Sequence, residues 1–288
     1  TYASVNTDQL ITTRGADEAI ELLIRTFCEP QQDKILINTP TYGMYEVSAE
    51  THGIETVKQP LTSSFDPDYT AIKQQIDDVK LIFLCAPNNP TGNTLDQAAL
   101  VDLLDAAKDR AIVVVDEAYI EFCPQHTQVA LLKDFENLVI LRTLSKAFAL
   151  ASIRCGFAIA NPSVIELLLK VIPPYPVPEP VAQIATQALT IARISQMKAR
   201  VTMLNGFRET FRQALLTLPN VEYIFPTTGN FLLVRFTDSK QVFSTLSQQG
   251  IVLRDFSNKP MLANCIRITV GNEAEMHKTL TAIKALNS

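Results

Sequence analysis

The stretch with the clearest chemical potential surrounds Lys146. It reads TLSKAF over residues 143–148, follows an apolar segment at 138–141, and has no acidic residue beside the lysine. A lysine in a partly apolar pocket loses hydration, which favours the neutral amine and makes it available as a nucleophile. Such an amine suits a Schiff base with a carbonyl substrate or with pyridoxal phosphate. The alternative is an ordinary surface lysine just past the end of a strand.

Two further polar residues follow apolar runs that predict buried parallel strands. Asn89 lies in a proline-bounded loop after the run at 80–85, and Asp116 directly follows the run at 111–115. In open α/β sheets, ligands bind beyond the carboxyl ends of the strands. Asp116 there suits a cationic ring nitrogen, although an acid at this position also caps turns, and Asn89 also fits a simple turn.

A strand, a small-residue turn and a helix start follow one another in the sequence RGADE at 14–18. Backbone amides at such a helix N-terminus form an anion site, although many α/β turns look alike. Tyr42 and Tyr45 begin the helix after the next strand. Tyrosine at such a corner usually packs, and its other use is to stack on a flat ring.

Arg254 and Arg267 lie in otherwise apolar strand-like segments near the end of the chain. A guanidinium in such a setting is costly unless it meets an anion, and it pairs well with carboxylate or phosphate. The alternative is an ion pair inside the fold.

Composition excludes several classes of function. The net charge is −5 with no basic run, so we expect neither a nucleic-acid partner nor a membrane surface. No apolar run reaches the roughly 20 residues that span a bilayer. The five scattered cysteines predict reduced thiols of a cytoplasmic protein, and the three isolated histidines predict no metal site.

The order of the predicted elements indicates an α/β protein. We expect a large domain over residues 1–195, with a mostly parallel central sheet flanked by helices, and a smaller C-terminal α+β domain over residues 196–288. A rigid proline-rich connector is predicted at 173–180. In the small domain we predict strands near 221–225, 231–236, 251–253 and 266–270.

Three motifs occur in an order and spacing that resemble a known family. They are NPTG at 89–92, DEAY at 116–119, and Ser145-Lys146 followed by RCG at 154–156. The set resembles fold-type I pyridoxal-phosphate enzymes, specifically class II aminotransferases, over essentially the whole chain. Further matches at 14–18, 40–45, 174–176, 253–255 and 266–271 favour a branch that acts on a phosphorylated amine.

The resemblance implies a role for each cofactor residue. Lys146 forms the Schiff base and moves the substrate proton, while Asp116 pairs with the ring nitrogen. Asn89 and Tyr119 bind the phenolic oxygen of the ring, and Tyr42 stacks on its face. The phosphate is implied to meet the amides of Ala16 and Asp17 and the side chains of Ser145 and Arg154.

The resemblance also assigns the substrate side and the assembly. Arg254 and Arg267 are implied to receive the acidic groups of the phosphorylated amine and of glutamate, and Asn230 to lie near the substrate. The family forms homodimers, and its pattern includes a segment ahead of the position of Thr1. A tyrosine of that segment reaches the cofactor phosphate of the neighbouring subunit.

Other activities share this scaffold. A threonine-phosphate decarboxylase and the aromatic aminotransferases are the enzymatic alternatives. A ligand-sensing domain without turnover is the non-enzymatic alternative, although the sequence has no basic face or helix-turn-helix partner.

Overall fold

A computed structural model describes residues 2–287 of the protein. A seven-stranded sheet forms the centre of its larger part. The strand order is β1-β7-β6-β5-β4-β2-β3. Strands β2 to β6 run parallel, and β7 is antiparallel to both of its neighbours. The seven strands are β1 Leu10–Thr13, β2 Lys34–Thr39, β3 Glu55–Pro60, β4 Leu81–Cys85, β5 Ile112–Asp116, β6 Leu138–Thr143 and β7 Gly156–Ala160.

The central strands are buried on both faces. Every residue of β4 and of β6 is buried, as the apolar runs at 81–85 and 138–141 predict. Successive side chains alternate between two hydrophobic clusters: Ile82 and Val113 belong to one, and Leu81 and Val114 to the other. This is the two-residue period of a strand with a core on each side.

Helices cover both faces of this sheet. Helix α1 contacts α2, α5, β6 and β7, and α4 packs on α3 and β5. Aspartates begin two of them, because Asp68 and Asp96 accept backbone N–H groups in the first turns of α3 and α4. These helices are α1 Gly15–Phe27, α2 Met44–Thr51, α3 Tyr69–Lys73, α4 Gln97–Ala107, α5 Pro162–Val171 and α6 Glu179–Ala188.

A second, antiparallel sheet forms the smaller part, in the order β10-β11-β9-β8. Its own hydrophobic cluster includes Phe211 of α7, Leu232 of β9 and Ile266 of β11. The predicted fold class is therefore confirmed. The elements are α7 Ile191–Leu215, β8 Val221–Ile224, β9 Phe231–Phe236, α8 Ser239–Gln248, β10 Arg254–Asp255, β11 Cys265–Thr269 and α9 Glu273–Lys284.

Two local predictions are wrong. The connector predicted at 173–180 ends two residues early, because Glu179 and Pro180 form the first turn of α6. Proline fits there since the first N–H groups of a helix have no partner within the helix. The strand predicted at 251–253 is absent from the described residues, and only Arg254–Asp255 pairs with β11.

Helix α7 connects the two parts. Its residues Met197 and Val201 pack in a core of the large sheet, and Phe211 and Leu215 pack in the core of the small sheet. The domain division after residue 195 falls within this continuous helix and stays a prediction. Among residues 2–287, no helix is long and apolar enough to cross a membrane.

Candidate active site

The predicted site residues lie together at the carboxyl edge of the large sheet. Cys85 and Asp116 are register partners at the ends of β4 and β5, and Asp116 is also paired with Leu141 of β6. Lys146 follows three residues after the end of β6. Parallel pairing therefore places Asn89, Asp116 and Lys146 at one edge, as the sequence predicted.

Asp116 is a buried carboxylate held by two donors. It is 2% exposed. The Tyr45 hydroxyl donates to its Oδ2 at 2.6 Å, and the Ala118 N–H donates to its Oδ1 at 3.0 Å. Burial raises the pKa of Asp116, while both hydrogen bonds and the nearby Lys146 oppose that rise. A cationic N–H partner would stabilise the carboxylate in the same way.

Tyr42 lies beside Tyr45 at the start of α2. The two rings meet edge to face, with centroids 5.6 Å apart and planes at 84°. The Tyr42 hydroxyl donates to Asp17 Oδ1 at 2.9 Å. Burial and the neighbouring Asp17 raise the pKa of Tyr42, so the hydroxyl stays protonated as a donor. These contacts fix the ring that is predicted to stack on the cofactor.

The turn between β1 and α1 forms a cradle that a side chain would fill. Gly15 has φ +81°, and a Cβ built on it would lie 2.6 Å from Arg154 Nη2. A Cβ on Gly156 would lie 2.6 Å from the Ala16 nitrogen. Helix α1 starts here without a side-chain cap, so its first amides form an anion site. Arg154 Nη2 also donates to Asp17 Oδ2 at 3.0 Å.

Thr143 organises the turn that carries Ser145 and was missed by sequence reasoning. The Thr143 hydroxyl donates to Ser145 Oγ at 2.9 Å and accepts the Ser145 N–H at 3.1 Å. Arg154 Nη1 donates to Ser145 Oγ at 3.4 Å, which joins this turn to the glycine cradle. The two-residue spacing of Thr143 and Ser145 was the available signal, because threonine commonly bonds the backbone two residues on.

Lys146 is more exposed than predicted. The expectation of an apolar pocket around this lysine is wrong, because Leu144, Ala147 and Phe148 are buried in the core of the sheet while Lys146 is exposed. The Lys146 Nζ lies 5.0 Å from the centroid of the Tyr119 ring. The amine therefore shares the site with Tyr119 and Asp116, and it remains accessible to a carbonyl compound.

Arg267 connects the small sheet to this edge of the large sheet. Its Nη1 donates to Asn89 Oδ1 at 2.5 Å. The guanidinium also lies over the ring of Phe231, 5.2 Å from its centroid, and Phe231 meets Tyr119 edge to face at 5.3 Å. Since the amide oxygen of Asn89 is occupied, its NH₂ group is the part that can donate to a ring oxygen.

Arg254 and Arg267 are direct register partners in β10 and β11. Burial and the adjacent Arg254 lower the pKa of Arg267. Within residues 2–287, neither guanidinium forms an ion pair with a carboxylate. The buried Arg267 Nε has no hydrogen-bond partner. Two neighbouring cations and an unused donor are what an anionic ligand needs.

Asn230 precedes β9, and its backbone oxygen accepts the Val270 N–H at 2.8 Å. That contact places the residue beside the end of β11. A contact of the Asn230 side chain with substrate stays a prediction.

A separate buried ion pair supports the sheet behind Asp116. Arg142 Nη2 and Glu117 Oε2 are 2.8 Å apart, with side chains 8% and 0% exposed. They join the end of β5 to β6. A cavity of about 1140 Å³ lies next to Arg142 and Glu121, and its described lining includes neither Lys146 nor Asp116. This cavity is therefore separate from the site of the predicted chemistry.

The site residues fit pyridoxal phosphate. A buried carboxylate suits the ring nitrogen, an accessible amine suits the aldehyde, and Tyr42 provides an aromatic face. The glycine cradle, the uncapped helix start and Arg154 suit the phosphate. Among residues 2–287 there is no group of three or more side chains that could hold a metal ion.

Comparison with known proteins identifies the family of the chain. The family model for aminotransferase class I and II matches residues 1–283. The chain belongs to this family. The aminotransferase is 58% identical over 287 residues to the histidinol-phosphate aminotransferase of Aeromonas hydrophila, a match that covers 100% of this chain and 81% of that relative.

Two solved structures have the same fold as this aminotransferase. The histidinol-phosphate aminotransferase from Clostridium acetobutylicum superposes with a TM-score of 0.90 at 27% identity, over 99% of this chain and 86% of that chain. The histidinol-phosphate aminotransferase from Sinorhizobium meliloti, solved in complex with pyridoxal-5'-phosphate, superposes with a TM-score of 0.89 at 21% identity. The match covers 99% of this chain and 78% of that chain. The second likeness concerns the fold alone.

Proposed function

We propose that this aminotransferase uses pyridoxal phosphate to convert L-histidinol phosphate and 2-oxoglutarate into imidazole-acetol phosphate and glutamate, a step of histidine biosynthesis. The observation that carries the proposal is the Arg254–Arg267 pair, which contacts the cofactor residues through Asn89. The identity of 58% to a histidinol-phosphate aminotransferase supports the same substrate.

The reaction needs a group that holds the cofactor and a group that moves a proton. Bound pyridoxal phosphate supplies a ring that accepts electrons when the substrate Cα loses its proton. Lys146 is the accessible amine of the site: it would hold the cofactor and, once the substrate amine had displaced it, would take the Cα proton as a free amine. Asp116 would keep the ring nitrogen protonated, and Asn89 and Tyr119 would bind the phenolic oxygen.

The phosphate of the cofactor is assigned to the turn between β1 and α1. The amides of Ala16 and Asp17 lie at the helix start, where the partial positive charge of the helix favours an anion. Ser145 and Arg154 add side-chain donors that already contact each other. Only a glycine at position 15 leaves space next to Arg154.

The two arginines explain how one site accepts two different substrates. Histidinol phosphate carries a phosphate and 2-oxoglutarate carries a distal carboxylate, and a guanidinium binds either one through two parallel hydrogen bonds. Arg267 is held by its hydrogen bond to Asn89 and by the ring of Phe231, whereas Arg254 is exposed. We assign to Arg267 a fixed contact with the phosphate or carboxylate of the substrate. Arg254 is assigned to bind the more exposed side of the same anion. Asn230 is assigned to the neighbouring substrate surface.

The second candidate is a threonine-phosphate decarboxylase, since paired arginines would also bind that phosphate. The two reactions differ in the bond that breaks at Cα: a C–H bond in transamination and a C–C bond in decarboxylation. The test offers each amine to the protein loaded with pyridoxal phosphate and 2-oxoglutarate. Glutamate formed from histidinol phosphate supports the proposal. Carbon dioxide released from threonine phosphate, with no glutamate formed, overturns it.

We further assign the protein to the cytoplasm as a homodimer. All five cysteines are free and buried, which suits a reducing compartment. Exposed apolar side chains cluster near the proline-rich connector and the following helices, where Tyr175 is 94% and Ile191 80% exposed. Such a cluster suits burial against a second subunit. Sedimentation that gives a monomer at enzyme-assay concentration would contradict the dimer.

A further inference from the structure

Tyr45 is the most completely buried polar aromatic residue next to the site, and the proposed reaction assigns it no role. It is 0% exposed, and its ring stacks on Phe83 at a centroid distance of 4.9 Å and an interplanar angle of 16°. A phenylalanine would make the same ring contacts. A buried hydroxyl is costly unless it has a hydrogen-bond partner, and here that partner is Asp116 Oδ2 at 2.6 Å.

The direction of this hydrogen bond is fixed by the surroundings. Burial and the adjacent Asp116 raise the pKa of Tyr45 well above its usual value, so the phenol keeps its proton and donates it. Asp116 is therefore the acceptor. A hydrogen bond to the ionised form of a buried acid favours that form. The Ala118 N–H is a second donor to the same carboxylate, at Oδ1.

We propose that Tyr45 is a positioning residue that acts through Asp116: its hydroxyl keeps this carboxylate ionised and oriented for the ring nitrogen of the cofactor. The inference rests on the proposed use of pyridoxal phosphate. Tyr45 also packs edge to face on Tyr42, so one side chain supports both the partner of the ring nitrogen and the aromatic face.

Other charged and titratable groups act on Asp116 from the surrounding elements. Asp17 of α1 raises its pKa, and Lys146 after β6 lowers it. The Cys85 thiol of β4 and the Tyr42 hydroxyl also interact with Asp116. Burial raises the pKa of Cys85 to about 12, so this thiol stays neutral. Removing the Tyr45 hydroxyl leaves all of these in place. The pKa of Asp116 then rises, and less of the carboxylate is available on the acidic side of neutrality.

The test compares Tyr45→Phe with the wild-type protein in binding three ligands across mildly acidic to mildly alkaline pH. Pyridoxine phosphate has the ring nitrogen but no aldehyde, so its affinity reports contacts other than the bond to Lys146. The affinity of its analogue with carbon in place of the ring nitrogen reports the remaining contacts of the ring and phosphate, without the contact between the ring nitrogen and Asp116. Pyridoxal phosphate itself shows whether the protein binds the cofactor at all. Tyr69→Phe is the matched control, because the Tyr69 hydroxyl is buried without a partner and lies away from the site.

We expect Tyr45→Phe to weaken pyridoxine phosphate about tenfold, the usual size for a hydrogen bond to a charged group, and to shift the acidic limb of its affinity to higher pH. The carbon analogue should bind both proteins equally, and Tyr69→Phe should match the wild type. An equal loss of affinity for pyridoxine phosphate and its carbon analogue, or no loss for either, overturns the inference and leaves Tyr45 a packing residue. If the wild type itself binds none of the three ligands, the proposed function fails instead.

A double-mutant cycle gives an independent measurement that does not depend on the stability of one variant. In an Asp116→Asn background, removal of the Tyr45 hydroxyl should cause no further loss of pyridoxine phosphate affinity, because the two residues act as a unit. Additive losses would contradict action through Asp116.

Discussion

Arg267 Nη1 donates to Asn89 Oδ1 at 2.5 Å, and this hydrogen bond joins the small sheet to the carboxyl edge of the large sheet. The two residues are 178 positions apart in the sequence. One belongs to the proposed substrate set and the other to the proposed cofactor set. If the proposed roles hold, this contact links the part of the chain that binds the substrate to the part that holds the cofactor.

The first prediction concerns this arginine. Arg267→Ala should raise KM for histidinol phosphate tenfold or more, because it removes charge-assisted hydrogen bonds to the phosphate. The affinity for pyridoxal phosphate should change much less. Steady-state kinetics and cofactor titration measure the two effects. Arg235→Ala is the control, since Arg235 lies on the neighbouring β9 and contacts Phe225. An equal loss of substrate and cofactor affinity would remove Arg267 from the substrate site.

The second prediction concerns the cofactor cradle. Gly15→Ala places a Cβ 2.6 Å from Arg154 Nη2 and forces a residue with a side chain to φ +81°. Gly250→Ala carries the same backbone strain at φ +72° but has open space around the new Cβ. Both should lose about 1 kcal/mol of stability as apoproteins. Only Gly15→Ala should lose the rise in Tm that pyridoxal phosphate causes. An undiminished rise would place the phosphate elsewhere.

The third prediction concerns the Glu117–Arg142 pair. Arg142→Met leaves the Glu117 carboxylate buried without its partner and should lower the free energy of unfolding by about 3 to 5 kcal/mol. Arg110→Met breaks the exposed pair with Asp77 and should cost at most about 1 kcal/mol. Denaturant unfolding measures both. Equal small effects would show that the buried pair contributes little to the sheet.

The fourth prediction is a dependence of stability on pH. Burial raises the pKa of Glu121 from 4.5 to about 7, while the hydrogen bond from the Tyr2 hydroxyl and the charge of Arg142 oppose the rise. The folded protein binds a proton here more tightly than the unfolded chain does. Protonated Glu121 therefore contributes fully to the free energy of unfolding below pH 4.5, and this contribution is lost as the pH rises to about 7.

Glu121→Gln should remove that loss. The variant should gain stability relative to the wild type between pH 4.5 and about 7, by about 3 kcal/mol in total, and the difference should be constant above that range. Unfolding curves at several pH values measure it. A difference that does not vary with pH would mean that Glu121 titrates normally.

The sequence predicted the elements that carry strong local signals. The apolar runs at 80–85 and 111–115 predicted buried parallel strands, and the polar residues after them predicted the edge where ligands bind. Asp116 ends one such strand, and Asn89 and Lys146 follow others within four residues, but their individual roles came from the resemblance to the family. The motifs and their spacing are local features of the sequence, so they could be found without the structure.

Contacts between distant positions could not be predicted. The hydrogen bond from Tyr45 to Asp116 joins residues 71 apart, and it depends on the packing of α2 against β2 and β3, which lets the Tyr45 ring reach Phe83 of β4. The exposure of Lys146 depends on which neighbours turn towards the core, and Leu144, Ala147 and Phe148 do so. The two-residue strand β10 is defined by its pairing with β11, so the bounds of this strand could not be predicted from its own sequence.

The most direct test of the central claim is the visible absorption spectrum of the protein with pyridoxal phosphate, before and after L-histidinol phosphate is added. We predict that the wild type shows a band of cofactor bonded to Lys146 and that histidinol phosphate converts this band to that of the aminated cofactor. Lys146→Ala should lack the first band, whereas Lys170→Ala, on the exposed end of α5, should behave like the wild type. A wild-type spectrum that histidinol phosphate leaves unchanged, or normal transamination by Lys146→Ala, would contradict the account.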